Sequence, residues 1–192
     1  MIKIILLGAG NVGYHLSKAF NKSTQIDLVQ WYSRDYSSLS YNNIDTEIIN
    51  DLSKIKSADI YIISISDSYV GEVSKKLNVS GKLVVHTSGS LDLSIIDQKN
   101  RRGVFYPLQT LSKNKEIELA KVPMCIESEN NKDLALLETI SKHIGCKTYK
   151  IDYNERKILH LAAIFSNNFV NHMFTIAKEI LDDKNLDFNI LK

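Results

Sequence analysis

Two rhythms of apolar and polar residues share the chain. Residues Ile2–Leu7 form an apolar run, broken only by Lys3, that stops at Gly8. A short run of this kind bounded by a turn residue predicts a buried strand. Val12, Leu16, Ala19 and Phe20 then recur at helical spacing and give the next segment one apolar face. Strand-like runs return over residues 27–32, 59–65, 82–86, 103–106, 123–127 and 146–151. Asp67 is placed to cap a helix that ends near Leu77, and Asn131–His143 reads as a further helix stopped by Gly145. Residues 33–43, rich in Ser, Tyr and Asn, read as a loop. Strands alternating with helices imply parallel pairing through right-handed crossovers, hence an α/β fold built on a doubly wound sheet.

From about Asn154 the pattern changes. Residues 155–182 contain no Gly or Pro and are apolar on most sides, with Leu159, Leu161, Phe165, Phe169, Met173 and Ile180 among them. A helix apolar nearly all round has to be buried in a bundle or against another subunit. The remaining ten residues are too few to build that bundle. Either the helical part extends past residue 192, or a second copy supplies the missing walls and the chain forms a homodimer through its C-terminal helices. The expected division is a sheet domain over residues 1–152 and the incomplete start of an all-helical domain over 153–192.

Charge and composition narrow the partners. Lys and Arg total 24 against 22 Asp and Glu, with no basic block, so no nucleic-acid partner is expected. The longest uninterrupted apolar run is five residues, 161–165, far below the ~18 needed to span a bilayer. The opening apolar run meets a glycine at once, which predicts a strand rather than a signal peptide. Cys125 and Cys146 lack metal-ligand spacing and are too few for a disulfide framework. A reduced, cytoplasmic protein without a metal site is the expectation.

Gly8-Ala9-Gly10-Asn11-Val12-Gly13 fits G-x-G-x-x-G, and it lies between a predicted strand and a predicted helix. Gly8 permits the tight turn, Gly10 lets the backbone approach a pyrophosphate, and Gly13 lets helix and strand pack closely. The free N–H groups of Asn11, Val12 and Gly13, with the positive end of the helix dipole, then hold the phosphates. A turn in a Rossmann-like sheet without a ligand is the competing reading. The selector for the adenine ribose should lie about twenty residues on, at the end of the second strand. Ser33 and Arg34 stand there and offer a hydroxyl and a guanidinium fork to the 2′-phosphate of NADP. If the strand runs one residue longer, Asp35 becomes the selector and NAD is the cofactor.

Ligands in such sheets lie across the carboxyl ends of the strands. The backbone of Ser64, Ile65 and Ser66 leaves one strand there and should lie beneath the nicotinamide ribose. His86-Thr87-Ser88-Gly89-Ser90 leaves the next, with Ser88 a candidate for catalysis or a hydroxyl cap for a helix starting at Leu91. Tyr106-Pro107-Leu108-Gln109-Thr110 is a third polar loop that borders the substrate or turns the chain. On the apolar C-terminal helix, His160, Asn167 and Asn171 fall within about 40° of arc at about 100° per residue. A carbonyl or imine that gains a hydride needs a proton donor, and His160 suits that task. The same stripe could instead bond neighbouring helices or a dimer partner.

Together these stretches resemble the NADP oxidoreductase group in which a Rossmann domain precedes an all-helical, 6-phosphogluconate-dehydrogenase-like domain. Pyrroline-5-carboxylate reductase, the deazaflavin-dependent NADP oxidoreductases and the β-hydroxyacid dehydrogenases are relatives. The likeness is greatest to a bacterial branch of Rossmann-like oxidoreductases whose helical domain has no assigned function. It is carried by GAGNVG, YSR after the second strand, HTSGS, YPLQT and HLAAIFSNNF. The resemblance implies NADP-linked redox chemistry on a small molecule and a helical domain running past residue 192. Members of that branch often carry His where Tyr106 stands. In β-hydroxyacid dehydrogenases a Lys one turn before an Asn donates the proton. Here Ala163 and Ile164 stand four before Asn167 and Asn168, so the lysine mechanism is not implied and His160 is the available donor. The alternatives are a non-catalytic NADP(H)-binding sensor or scaffold, and a nucleotide-sugar or flavin protein using the same phosphate cradle.

Overall fold

The computed structural model describes residues 1–35 and 46–191. Most of the loop expected over 33–43 lies outside the described residues. The sheet holds β1 (Ile2–Leu7), β2 (Ile26–Tyr32), β3 (Glu47–Ile49), β4 (Ile60–Ile63), β5 (Leu83–His86), β6 (Arg101–Pro107), β7 (Met124–Ser128) and β8 (Thr148–Lys150). Helices α1 (Asn11–Lys22), α2 (Asp67–Lys76) and α3 (Asn131–His143) follow β1, β4 and β7. The strand order is β3-β2-β1-β4-β5-β6-β7-β8, so the direction of winding reverses between β1 and β4.

Side chains alternate across the sheet, and both faces are covered. Ile4, Leu6, Trp31, Ile62 and Val85 pack with Leu16 and Phe20 of α1 and Leu137 and Ile140 of α3. Ile5, Leu7, Tyr61, Ile63 and Val84 pack on the other face with Val70 of α2 and Leu77. Burial on both sides explains why these strands read as continuous apolar runs rather than as alternating ones.

Several expectations need correction. All-parallel pairing fails at β6–β7, which are antiparallel, while every other pair is parallel. The β6–β7 connection carries only a single 3-10 turn, Leu119–Lys121, and without a crossover helix the chain returns in the opposite direction. The helix expected from Leu91 is one 3-10 turn, Leu93–Ile95, capped by Asp92. Strand β3 escaped notice because three residues on a sheet edge leave almost no pattern. Asp67 is the first residue of α2 rather than its cap, and its carboxylate turns instead to Ser88 and Ser90.

The C-terminal segment is α4 (Tyr153–Ala163), a π-helical stretch Ile164–Phe169, and α5 (Val170–Asp182). Asp152 and Glu155 form a reciprocal capping box that starts α4. The burial expected of this segment is not found within one chain: Leu161, Phe165, Met173, Phe174 and Ile180 are all more than half exposed. Among the described residues, no helix is long and apolar enough to cross a membrane. A single buried side chain, Arg156, anchors α4 to the sheet domain. Its guanidinium pairs with Glu127 of β7 and donates to the carbonyl of Leu91.

Replacing Arg156 by Met should therefore leave Glu127 half-desolvated and unpaired. The expected loss is about 3 kcal/mol, or a fall of about 6–12 °C in melting temperature. Differential scanning calorimetry measures it, and an unchanged melting temperature would show that the pair is not the anchor.

Candidate functional site

The first turn after β1 lies where the winding reverses, the position at which such sheets form a crevice. Its three glycines are required for different reasons. Gly8 has φ +116°, and a Cβ on it would stand 2.1 Å from the Ser64 carbonyl oxygen at the end of β4. A Cβ on Gly13 would stand 2.2 Å from the Gly8 carbonyl oxygen. Gly10 differs: a Cβ there meets only the Ser64 oxygen, at 4.0 Å. The protein's own packing does not demand a glycine at that position, which leaves room for a ligand to come against the backbone. Gly10 also caps α1 without a side-chain hydrogen bond, so the first-turn N–H groups of Asn11, Val12 and Gly13 have no side-chain acceptor among the described residues. The Asn11 side-chain amide faces elsewhere, its Oδ1 accepting from the Lys113 N–H at 3.2 Å. Trp31, at the end of β2, donates its indole N–H to the Gly8 carbonyl at 2.8 Å and holds the turn.

Beside this turn is a cavity of about 400 Å³, lined by Gly8, Gly10, Ser33, Arg34, Asp35, Ser64, Ile65, Ser66, Tyr69, Glu72 and Lys76 among others. The hydroxyl of Ser64, one of its lining residues, is buried with no hydrogen-bond partner among the described residues. β2 ends at Tyr32, so Ser33 and Arg34 are the first residues beyond it, as the selector reading requires. The Ser33 hydroxyl is buried and donates to the Asp35 carbonyl at 2.9 Å. The Arg34 guanidinium lies 5.3 Å from the ring centre of Tyr69, within cation–π range. Lys76, on the last turn of α2, is a second cation on this rim that sequence spacing did not reveal. It pairs with Glu72 at 2.6 Å. That hydrogen bond, with a smaller contribution from Arg34, holds the Glu72 carboxyl below the usual range.

A run of contacts leads from this cavity to the C-terminal helices. Asp67, next to Ser66, accepts hydrogen bonds from Ser88 at 2.8 Å and Ser90 at 2.7 Å. The Ser88 hydroxyl also accepts from the N–H groups of Ser90 and Leu91 and thereby shapes the turn. Its bonds are those of a residue that supports the loop. Gly89 then touches both Tyr106 and His160. His160 Nδ1 lies 2.8 Å from the Tyr106 hydroxyl oxygen.

Asn167 does not join this group; Asn168 does, accepting from the Thr110 hydroxyl at 2.9 Å. The π-helical stretch Ile164–Phe169 is the reason. A π turn holds about one residue more than an α turn, which shifts the face that follows by about 100°. An uninterrupted α-helix, assumed in reading the sequence, would have presented Asn167 instead.

Buried groups near the site have displaced protonation equilibria. His86 is wholly buried and its Nδ1 accepts from the Ser88 N–H. Burial, and secondly the Arg156 charge, push its pKa down to about 4. Burial pushes the Tyr106 hydroxyl up to about 12. The thiols of Cys125 and Cys146 are each pushed up to about 11 by burial, which makes them poor nucleophiles at neutral pH.

The sheet, the glycine turn at the reversal of winding and the helical extension together define a Rossmann-type α/β protein. The model of a domain of unknown function, DUF2520, matches residues 122–192. A Bacteroides fragilis protein described as a putative NADP oxidoreductase is 36% identical, with a TM-score of 0.89 over 99% of this chain and 76% of that one. The chain belongs to the family of that protein. Two more distant structures share the fold. Plasmodium falciparum pyrroline carboxylate reductase with NADP bound is 14% identical, with a TM-score of 0.72 over 98% of this chain and 72% of that one. Aquifex aeolicus prephenate dehydrogenase with NAD+ is 16% identical, with a TM-score of 0.68 over 81% and 62%. Comparison with curated proteins returned no match.

Gly10→Ala and Gly13→Ala should separate ligand space from packing. The first should cost about 1 kcal/mol or less and the second about 3 kcal/mol, measured by urea unfolding; equal losses would contradict the distinction. A second expectation concerns pH. Unfolded His86 takes up a proton below about 6.5, the folded residue only near 4. The unfolded state therefore binds more protons in that window, and stability falls as pH drops from about 6.5 to 4. The loss reaches roughly 3 kcal/mol. His86→Asn should show a flatter stability profile across the same range; an identical slope would rule His86 out as the source.

Proposed function

We propose that the protein is an NADP-dependent oxidoreductase acting on a small carbonyl or imine compound. The observation that carries this reading is the open space over Gly10, at the one glycine of the motif that packing leaves free. The N–H groups of Asn11, Val12 and Gly13 would hold the pyrophosphate, and the buried Ser64 hydroxyl adds an uncommitted hydrogen-bonding group beside them. Arg34, with Lys76 as an additional cation, would receive the 2′-phosphate, and Ser33 would join them by turning its hydroxyl from the Asp35 carbonyl. The backbone of Ser64, Ile65 and Ser66 would underlie the nicotinamide ribose. Bound there, the dinucleotide supplies or accepts a hydride.

The chain's own contribution to turnover falls to His160, which offers a proton to the oxygen or nitrogen that gains electron density. Ser88 keeps the adjoining loop in shape through Asp67, and Asn168 fixes the helix against Thr110. Residues 1–152 form the cofactor domain in this reading, and residues from 153 a helical domain whose exposed apolar face pairs with a second copy. The names of the relatives support the redox class: an NADP oxidoreductase at 36% identity and, more remotely, a reductase with NADP bound. Selection of NAD is the second reading, favoured by Asp35 lining the same cavity.

Titration calorimetry of NADPH and NADH against the wild type and Arg34→Ala tests the assignment. Each charge-assisted bond to the 2′-phosphate is worth roughly 1.5–3 kcal/mol. Arg34→Ala should thus weaken NADPH about 10- to 100-fold and leave NADH nearly unchanged. Equal weakening of both would remove Arg34 as selector, tighter NADH binding by the wild type would establish the Asp35 reading, and no heat with either would overturn the function.

A further inference from the structure

Tyr106 and His160 stand 54 residues apart, one on β6 and the other on α4, yet their polar atoms meet at 2.8 Å. The rings lie edge to face, 5.8 Å between centres and 73° between planes. Beneath them is Gly89. A Cβ there would come within 2.6 Å of His160 Nδ1, 2.8 Å of its Cγ and 2.8 Å of Tyr106 Cζ. Gly89 does not have the positive φ of Gly8, Gly81 and Gly145, so two rings, not the backbone conformation, exclude a side chain at this position.

The packing leaves the imidazole two unequal edges. Nδ1 and Cγ are taken up by Gly89 and the Tyr106 hydroxyl. Nε2 makes no hydrogen bond among the described residues, and the side chain is half-buried. One hydrogen has to lie in the contact between the hydroxyl and Nδ1. Were it the imidazole's, the phenolic hydrogen would be left to solvent, since no other group among the described residues accepts it. The half-buried phenol also keeps its proton, since burial pushes it up to about 12.

We propose that Tyr106 is a positioning residue for His160: its hydroxyl donates to Nδ1, holds the neutral ring in the tautomer protonated at Nε2, and thereby presents that N–H to the ligand. When the ring is an imidazolium, the hydroxyl reverses its role and accepts from Nδ1–H. That form gives its Nε2 proton to the substrate and is left as the neutral ring protonated at Nδ1, whereas the neutral Nε2–H form only donates a hydrogen bond. The ring keeps one orientation throughout. The presentation of Nε2–H to a substrate rests on the function proposed above; the tautomer itself does not.

Nitrogen-15 spectra of histidine-labelled protein above pH 8 test it, with His160→Gln used to identify the resonances. In the wild type, His160 should show a bare Nδ1 and a protonated Nε2. Tyr106→Phe should populate both tautomers. Gly89→Ala, by pushing the ring off its seat, should do the same. With a substrate in hand, Tyr106→Phe should lower kcat about tenfold or more while leaving NADPH affinity unchanged. An unaltered tautomer in Tyr106→Phe overturns the proposal. A shifted tautomer together with full turnover by His160→Gln upholds the positioning and overturns His160 as the proton donor.

Discussion

The carboxyl edge of the sheet depends on one close approach. The turn after β1 passes the end of β4 with no space for a Cβ on Gly8, and α1 leaves the turn with none for one on Gly13. Trp31 bonds the carbonyl oxygen that Gly13 packs against, so strand, turn and helix are fixed through a single atom. The residue that caps α1 at this turn is Gly10, which has no side chain to cover the helix's first N–H groups. The same approach brings the Ser64–Ser66 backbone to the cavity and, one residue later, Asp67 to the Ser88 loop. The glycine turn beside the cavity and the Ser88 loop are thus both placed by one contact.

The second half of the site is brought in by α4. One buried guanidinium ties that helix to β7 and to the Leu91 carbonyl. An unpaired charge in that place would be costly, so the pair specifies position more than it adds stability. Tyr106–His160 and Thr110–Asn168 are then reached without further apolar burial, since most of α4 and α5 remains exposed. The π-helical stretch sets which side chains face the loops, and so decides between two adjacent asparagines.

Much of the fold was legible because the strands carry their own evidence. Double-sided burial writes a strand as an apolar run, and β1, β2, β4 and β5 were found within a residue or two of their ends. The glycine motif could be read because each glycine answers a local need of the backbone. Single-pattern reasoning failed where the signal was short or non-local. β3 is too short to show a pattern, and β7 reverses because of what its connection lacks. Asp67 was assigned to the nearest helix start, although its partners lie more than twenty residues away. Lys76 gave no motif at all, and Tyr106 and Gly89, although they lie within YPLQT and HTSGS, gave no sign of the contact they make, for these roles exist only between elements.

The order of residues by itself determined the α/β class, the turn that opens α1, the residues that follow β2 and the apolar character of the last helices. These follow from periodicity and backbone sterics, which act over a few neighbours. Tertiary structure alone decided that Gly10 faces open space while Gly13 does not, that Asn168 replaces Asn167, and that a tyrosine meets His160. Those outcomes turn on gaps of a few ångströms between segments far apart along the chain, and a distance across the fold has no local signature.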